Sequence, residues 1–154
     1  MLIQLRSRAL RLLHRLDWTG PLIVRLTLGL VFTLTGWGKL HSLDQVVELF
    51  RSLNIPAASV QAPMVATIEF VGGLLLLVGL GTRIASALLI GTMAVAIYTV
   101  QLPELHGVAD LARTTEWTYL AMFVWLVVSG AGKASLDYLI VRRGPAELRV
   151  GVAP

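Results

Sequence analysis

Long apolar runs broken by single charges constrain this chain more than any other feature. Glu69 interrupts a run from Val65 to Leu80, Lys39 closes another from Leu22 to Leu40, and Arg25 lies inside that same run. A charge in hydrocarbon is costly unless it is paired, hydrated or able to snorkel, so these three residues point to a membrane protein with a polar interior. Composition agrees. Of 154 residues, 56% are hydrophobic and 14% charged, whereas a soluble domain carries about a quarter charged residues. The mean hydropathy is +0.76.

Several function classes drop out at once. The chain has no cysteine, which excludes disulfide relays, thiol redox chemistry, thiolate metal sites and iron–sulfur ligation by this chain alone. The net charge of +4 does not indicate nucleic acid as a partner. The basic residues gather at the ends of apolar runs, as membrane topology requires.

A membrane-spanning helix needs about 20 apolar residues at 1.5 Å rise each. Four segments qualify: Pro21–Leu40, Pro63–Gly81, Arg83–Leu102 and Trp117–Leu136. The fold class expected is all-α, a four-span antiparallel bundle. Gly81-Thr82-Arg83 is the tight turn joining the second and third spans. Ten Lys and Arg residues lie on one side of the spans and three (Lys39, Arg51 and Arg113) on the other. That bias predicts that both termini are cytoplasmic. No internal repeat is evident, which counts against a transporter built from inverted repeats.

Residues 1–20 read as an amphipathic helix on the cytoplasmic leaflet. Leu2, Leu5, Ala9, Leu12 and Leu16 share one face, and Arg8, Arg11 and Arg15 an adjacent one. A cleaved signal peptide is the rival reading, but the apolar run that follows is too long and no small-residue cleavage site follows it. Residues 21–140 form the membrane domain and 141–154 a cytoplasmic tail. In the first outer loop, Ser42 and Gln45 have capping-box spacing ahead of a short helix that Asn54 and Pro56 end. This helix is expected on or in the outer mouth of the bundle.

Two helical faces carry the polar residues. Arg25, Gly29, Phe32, Gly36 and Lys39 repeat at alternating spacings of 4 and 3, and Glu69, Gly72, Leu76, Gly79 and Arg83 at 3 and 4. Small residues allow close helix approach, and charges in spans face the bundle, so the two faces are expected to meet. Glu69 lies six residues past Pro63, about 9 Å below the outer boundary by helical rise. Lys39 can reach inward from the end of its span. A Lys39–Glu69 ion pair is expected, with a neutral, protonated Glu69 as the alternative. At the other end, Asp137 is expected to bridge to Arg25 or Arg83 and fasten the last span. Lys133 is expected to snorkel.

Read in order, these pieces resemble the DoxX/DoxD family. Arg25-Leu26-Thr27-Leu28-Gly29-Leu30-Val31-Phe32 and Gly36-Trp37-Gly38-Lys39-Leu40 resemble its opening. Glu69-Phe70-Val71-Gly72-Gly73 and Gly79-Leu80-Gly81-Thr82-Arg83 resemble its second motif. Ser129-Gly130-Ala131-Gly132-Lys133-Ala134-Ser135-Leu136-Asp137 resembles its closing glycine-rich signature, and Asn54-Ile55-Pro56 fits the loop between. The resemblance spans about residues 21–140. It implies a four-helix protein of the bacterial or archaeal cytoplasmic membrane. It also implies an association with quinol oxidase or thiosulfate:quinone oxidoreductase activity, and so a membrane quinone and a redox enzyme as partners besides the lipid bilayer.

Chemistry on these residues takes three forms. In a quinone-interacting subunit, Glu69 would carry protons and Lys39 would donate to a carbonyl. Phe32, Gly36, Gly72 and Gly73 would leave room for the ring, and Trp125 would wall the slot; lipid-facing or core packing is the other reading of Trp125. In a non-catalytic membrane anchor or scaffold, the same charges would serve fold specificity. In a copper-handling protein, His41, His106 and Met64 would supply ligands of a suitable kind, though ordinary interfacial histidines read the same way. Haem fits poorly, because bis-His ligation needs two histidines at membrane depth. A small-solute transporter is the least favoured reading.

Overall fold

The computed structural model of the protein describes residues 18–104 and 107–143. The amphipathic helix expected within 1–20 and the tail expected over 141–154 fall almost wholly outside the described residues.

Uninterrupted apolar sequence produces the three longest helices. These are α1 (Thr19–His41), α3 (Ala58–Val78) and α4 (Thr82–Ala96), the last continued by a π-helical turn (Ile97–Gln101) and a short 3-10 turn (Leu102–Glu104). Between α1 and α3 lies α2 (Leu43–Ser52), and α5 (Val108–Leu111) is a single turn. The last two helices are α6 (Thr115–Ser129) and α7 (Leu136–Arg143). Three segments, Thr19–His41, Ala58–Val78 and Thr82–Gln101, are long and apolar enough to cross a membrane. Among the described residues no strand occurs.

α1, α3, α4 and α6 pack as an antiparallel four-helix bundle, in which α1 with α3 and α4 with α6 make the most extensive contacts. Residue contacts fix the directions. Lys39 meets Glu69, while Gly29 abuts Leu77, so α1 and α3 run oppositely. Gln101 meets Glu116 and Arg83 meets Val128, so α4 and α6 do too. Leu28, Phe32, Leu76, Leu89, Phe123 and Leu126 form the centre of the core. The outside is also apolar: Ile23, Leu34, Ile84 and Val128 are each more than 60% exposed. A surface of this kind on a water-soluble monomer would be an aggregation hazard. In lipid it is the expected exterior.

Several boundaries differ from the sequence expectation. α3 begins at Ala58, before Pro63, from Ala57 in the left-handed region at φ 49°. The Gln61 amide donates to the Pro56 carbonyl at 2.7 Å and helps tie down this start. Glu69 therefore lies near the middle of α3, about 16 Å along its axis from Ala58. The hairpin turns earlier than expected, on Gly79-Leu80-Gly81. Gly79 has φ +70° and closes α3 with bonds from Gly79 N to Leu76 O and from Leu80 N to Leu75 O, a Schellman arrangement that glycine allows. The expected fourth span Trp117–Leu136 is instead the 15-residue α6, followed by an irregular link and α7. Gly130 and Gly132 both have positive φ, which ends the helix there. The Ser42 capping box does not form either. Ser42 Oγ donates back to Gly38 O at 2.8 Å, because the chain enters α2 directly from the last turn of α1.

Candidate functional site

One face of α1 places Thr35 and Lys39 four residues apart, and α3 places Glu69 opposite them. Lys39 Nζ donates to Glu69 Oε1 at 2.6 Å, and Thr35 Oγ1 lies 3.5 Å from Glu69 Oε2. The Glu69 side chain is 3% exposed, whereas that of Lys39 is 35% exposed. The lysine stem thus runs from the bundle end to a carboxylate held in the interior.

This pair lies on the wall of a cavity of about 720 Å3, within the usual range for small-molecule sites. Phe32 forms part of its deep wall and packs edge-on against Tyr119 and Phe123, with ring centroids 5.5 and 5.0 Å away. Val46, Leu49, Phe50 and Leu53 of the α2 side cover one flank, and Met64, Val65 and Ile68 of α3 another. Leu88, Gly91 and Val95 of α4 line it as well. Leu88 and Val95 are 52% and 44% exposed on the apolar exterior. The cavity is therefore bordered by the surface that faces lipid. Its lining is mostly apolar; the charged residues are Lys39 and Glu69 at one place and Glu116 at another, and Thr35, Ser42, Gln45, Gln61 and Thr92 add uncharged polar groups. Gln101 Nε2 donates to Glu116 Oε2 at 3.1 Å. Glu116 and Tyr119 are contributions that no motif signalled, because α6 is far from α1 and α3 in sequence, whereas the α2 residues belong to the short helix expected at the mouth of the bundle.

The glycines expected to leave room do something else. A Cβ on Gly36 would collide with Phe70 backbone, and one on Gly73 with Thr33 backbone. Gly72 faces Leu89, whose nearest atom would lie 3.2 Å from an added Cβ. These three residues seat helix against helix and do not line the cavity; of the expected ligand contacts, Phe32 does. Trp125 is placed at the other end of the bundle, beside Gly20 at the start of α1, and is 41% exposed. His41 takes part in a 2.9 Å hydrogen bond with the Trp37 carbonyl and packs on the Trp37 ring. Met64 lines the cavity, His106 lies outside the described residues, and no cluster of metal ligands occurs among the described residues.

At the opposite end of the bundle, Arg25 is 2% exposed. Its two terminal nitrogens donate to Ala131 O and Ala134 O, both at 2.6 Å. It thereby holds the irregular link after α6. Among the described residues Asp137 makes no ion-pair contact with Arg25 or Arg83, although its charge acts on Arg25 through space. Its carboxylate accepts from Gly81 N at 2.7 Å and Thr82 N at 3.0 Å, and its own N–H donates to Gly79 O at 2.9 Å. The first turn of α4 has backbone donors with no helical partner, and a carboxylate there satisfies them. Arg83 instead donates to Val128 O at 3.3 Å. The closing glycine-rich segment is thus a staple joining three helix ends.

Comparison with known proteins bears on all of this. The DoxX family model matches residues 20–102. The chain is 34% identical to the Mycobacterium tuberculosis membrane protein Rv3486, over 88% of this chain and 90% of that one. It is 30% identical to the Bacillus subtilis protein named "Putative oxidoreductase CatD", over 80% and 88%. It is 25% identical to the Escherichia coli inner membrane protein YqjF, over 85% and 99%. No solved structure matches.

Proposed function

The chain belongs to the DoxX family of membrane proteins, and we propose that it is a quinone-interacting subunit of a membrane redox system. The single observation that carries this reading is the Lys39–Glu69 pair on the wall of a largely apolar cavity bordered by the lipid-facing surface. A lipid-borne ring needs an apolar space, a donor for its oxygen and a group that exchanges protons. Lys39 supplies the donor, and two of its three ammonium hydrogens remain for a ligand. Glu69, in contact with Lys39 and Thr35, supplies the proton carrier. General acid–base groups of this kind must lie within hydrogen-bond reach of the ligand oxygen, and both line the cavity. The relative named as an oxidoreductase supports redox chemistry as the class. Electrons come from a partner enzyme in this reading. We read α6 as a fourth crossing, which brings both termini to one side, and the bias of Lys and Arg makes that side the cytoplasmic one in this reading.

Purification from native membranes in mild detergent tests the proposal. Solvent extraction of the wild-type protein should release quinone, quantified against protein, and Lys39→Met or Glu69→Gln should lose it while remaining folded. Protein free of quinone that still retains a soluble enzyme would establish the membrane-anchor reading instead.

A further inference from the structure

The cavity holds a second acid that the proton-carrier role of Glu69 does not use. Glu116 lines the same space as Lys39 and Glu69 but stands on α6, at the head of that helix. The two charged places are joined along one wall. Thr35, which reaches Glu69, is one turn from Phe32; Phe32 touches Tyr119; and Tyr119 is one turn from Glu116.

Glu116 is held in place by its neighbours. Gln101 donates to one of its oxygens at 3.1 Å. Gln101 itself does not line the cavity. It ends the five-residue π-helical turn Ile97–Gln101. Such turns are rare and recur at functional sites, because the wider turn shifts the direction in which following side chains point. Without it, α4 would carry Gln101 to a different azimuth. Thr114 Oγ1 accepts from Trp117 N at 3.4 Å and marks the start of the helix, and an acid in a first helical turn is favoured there.

The two places differ in hydrogen-bonding sense. At the first place Lys39 offers donors and the Glu69 oxygens are already engaged by Lys39 and Thr35, while the carboxylate of Glu116 offers acceptors. From this asymmetry we infer that Glu116 is the second ligand contact of the cavity, accepting a hydroxyl of an aromatic diol, so that the site takes the reduced form of a quinone ring in preference to the oxidised form. The inference rests on the quinone reading above. A carbonyl facing Glu116 would leave two acceptors opposed, whereas a hydroxyl there donates. At the other place, an oxygen in either oxidation state accepts from Lys39. Gln101 is a positioning residue that acts through Glu116.

Binding of decylubiquinone and of its quinol, the latter kept reduced under anaerobic conditions, tests the inference on the full-length protein in lipid nanodiscs. Wild type should bind the quinol several-fold more tightly than the quinone. Glu116→Gln should weaken quinol binding by about tenfold, the scale of one hydrogen bond to a charged group, and leave quinone binding within about twofold of wild type, an effect selective for oxidation state that loss of structure would not produce. Glu116→Asp should restore part of the preference for quinol, and Gln101→Ala should lower it less than Glu116→Gln does. If Glu116→Gln leaves the quinol-to-quinone ratio unchanged while Lys39→Met weakens both probes, the role of Glu116 is overturned and the quinone site stands. If wild type binds neither probe saturably, the quinone reading and this inference fall together.

Discussion

At the residue scale, Glu69 is the point at which stability and chemistry meet. Its carboxylate lies in the interior of the bundle, bonded to Lys39 Nζ at 2.6 Å. Breaking a buried pair by removing one partner costs about 3–5 kcal/mol, because the other charge is left uncompensated. The 35% exposure of the Lys39 side chain places this pair at the lower end of that range, since water already reaches one partner. Lys39→Met and Glu69→Gln should each lower the midpoint of thermal unfolding in detergent. The double variant should recover part of the loss, and strictly additive losses would show that the two side chains act independently. Arg25 presents a different case. Its value lies in direction as much as in charge, since one planar guanidinium reaches two carbonyls three residues apart. A lysine would present a single ammonium in place of that fork.

At the element scale, glycines decide how closely α1 and α3 approach. Gly36 and Gly73 each bring one helix backbone into contact with the other; at Gly36 an added Cβ would lie 2.7 Å from Phe70 Cα. In lipid no hydrophobic drive pulls helices together, so van der Waals packing at such positions carries much of the association. Gly91 is the internal control. It lies in α4 and lines the cavity, yet an added Cβ there meets nothing within 4 Å. Gly91→Ala should therefore be tolerated, with a gain of up to about 1 kcal/mol from helix propensity. Gly36→Ala should drive α1 and α3 apart and lower the unfolding midpoint by several degrees. Because the Lys39–Glu69 pair bridges those same helices, Gly36→Ala should also weaken the coupling measured between them. Equal effects at positions 36 and 91 would remove the close-packing account.

At the scale of the whole molecule, the membrane arrangement follows from how many elements cross. α6 has 15 residues, about 22 Å by helical rise, and is shorter than the three spans, yet it packs into the same core through Phe123 and Leu126. The cysteine-free chain allows single cysteines to report sidedness directly. Cysteines at Glu48 and Ala112 should react with an impermeant thiol reagent added outside intact cells, and one at Lys133 only after the membrane is opened. Labelling of position 133 from outside would eliminate α6 as a crossing. The sequence by itself determined that this is a helical membrane protein with opposed polar faces on its first and second spans. Runs of apolar residues and a 3-and-4 spacing are local signals, and they do not depend on which helices later meet. It also carried the family, through motifs that turn out to be packing glycines and a staple at the helix ends. Only the tertiary structure decided that Gly36 and Gly73 let two helix backbones touch instead of opening a space for a ligand. Only it showed that Asp137 binds backbone donors of α4, and that Glu116 joins Glu69 around one cavity. Those outcomes depend on contacts between helices distant in sequence. A spacing pattern records which way a side chain faces on its own helix, but not which atoms another helix brings to meet it.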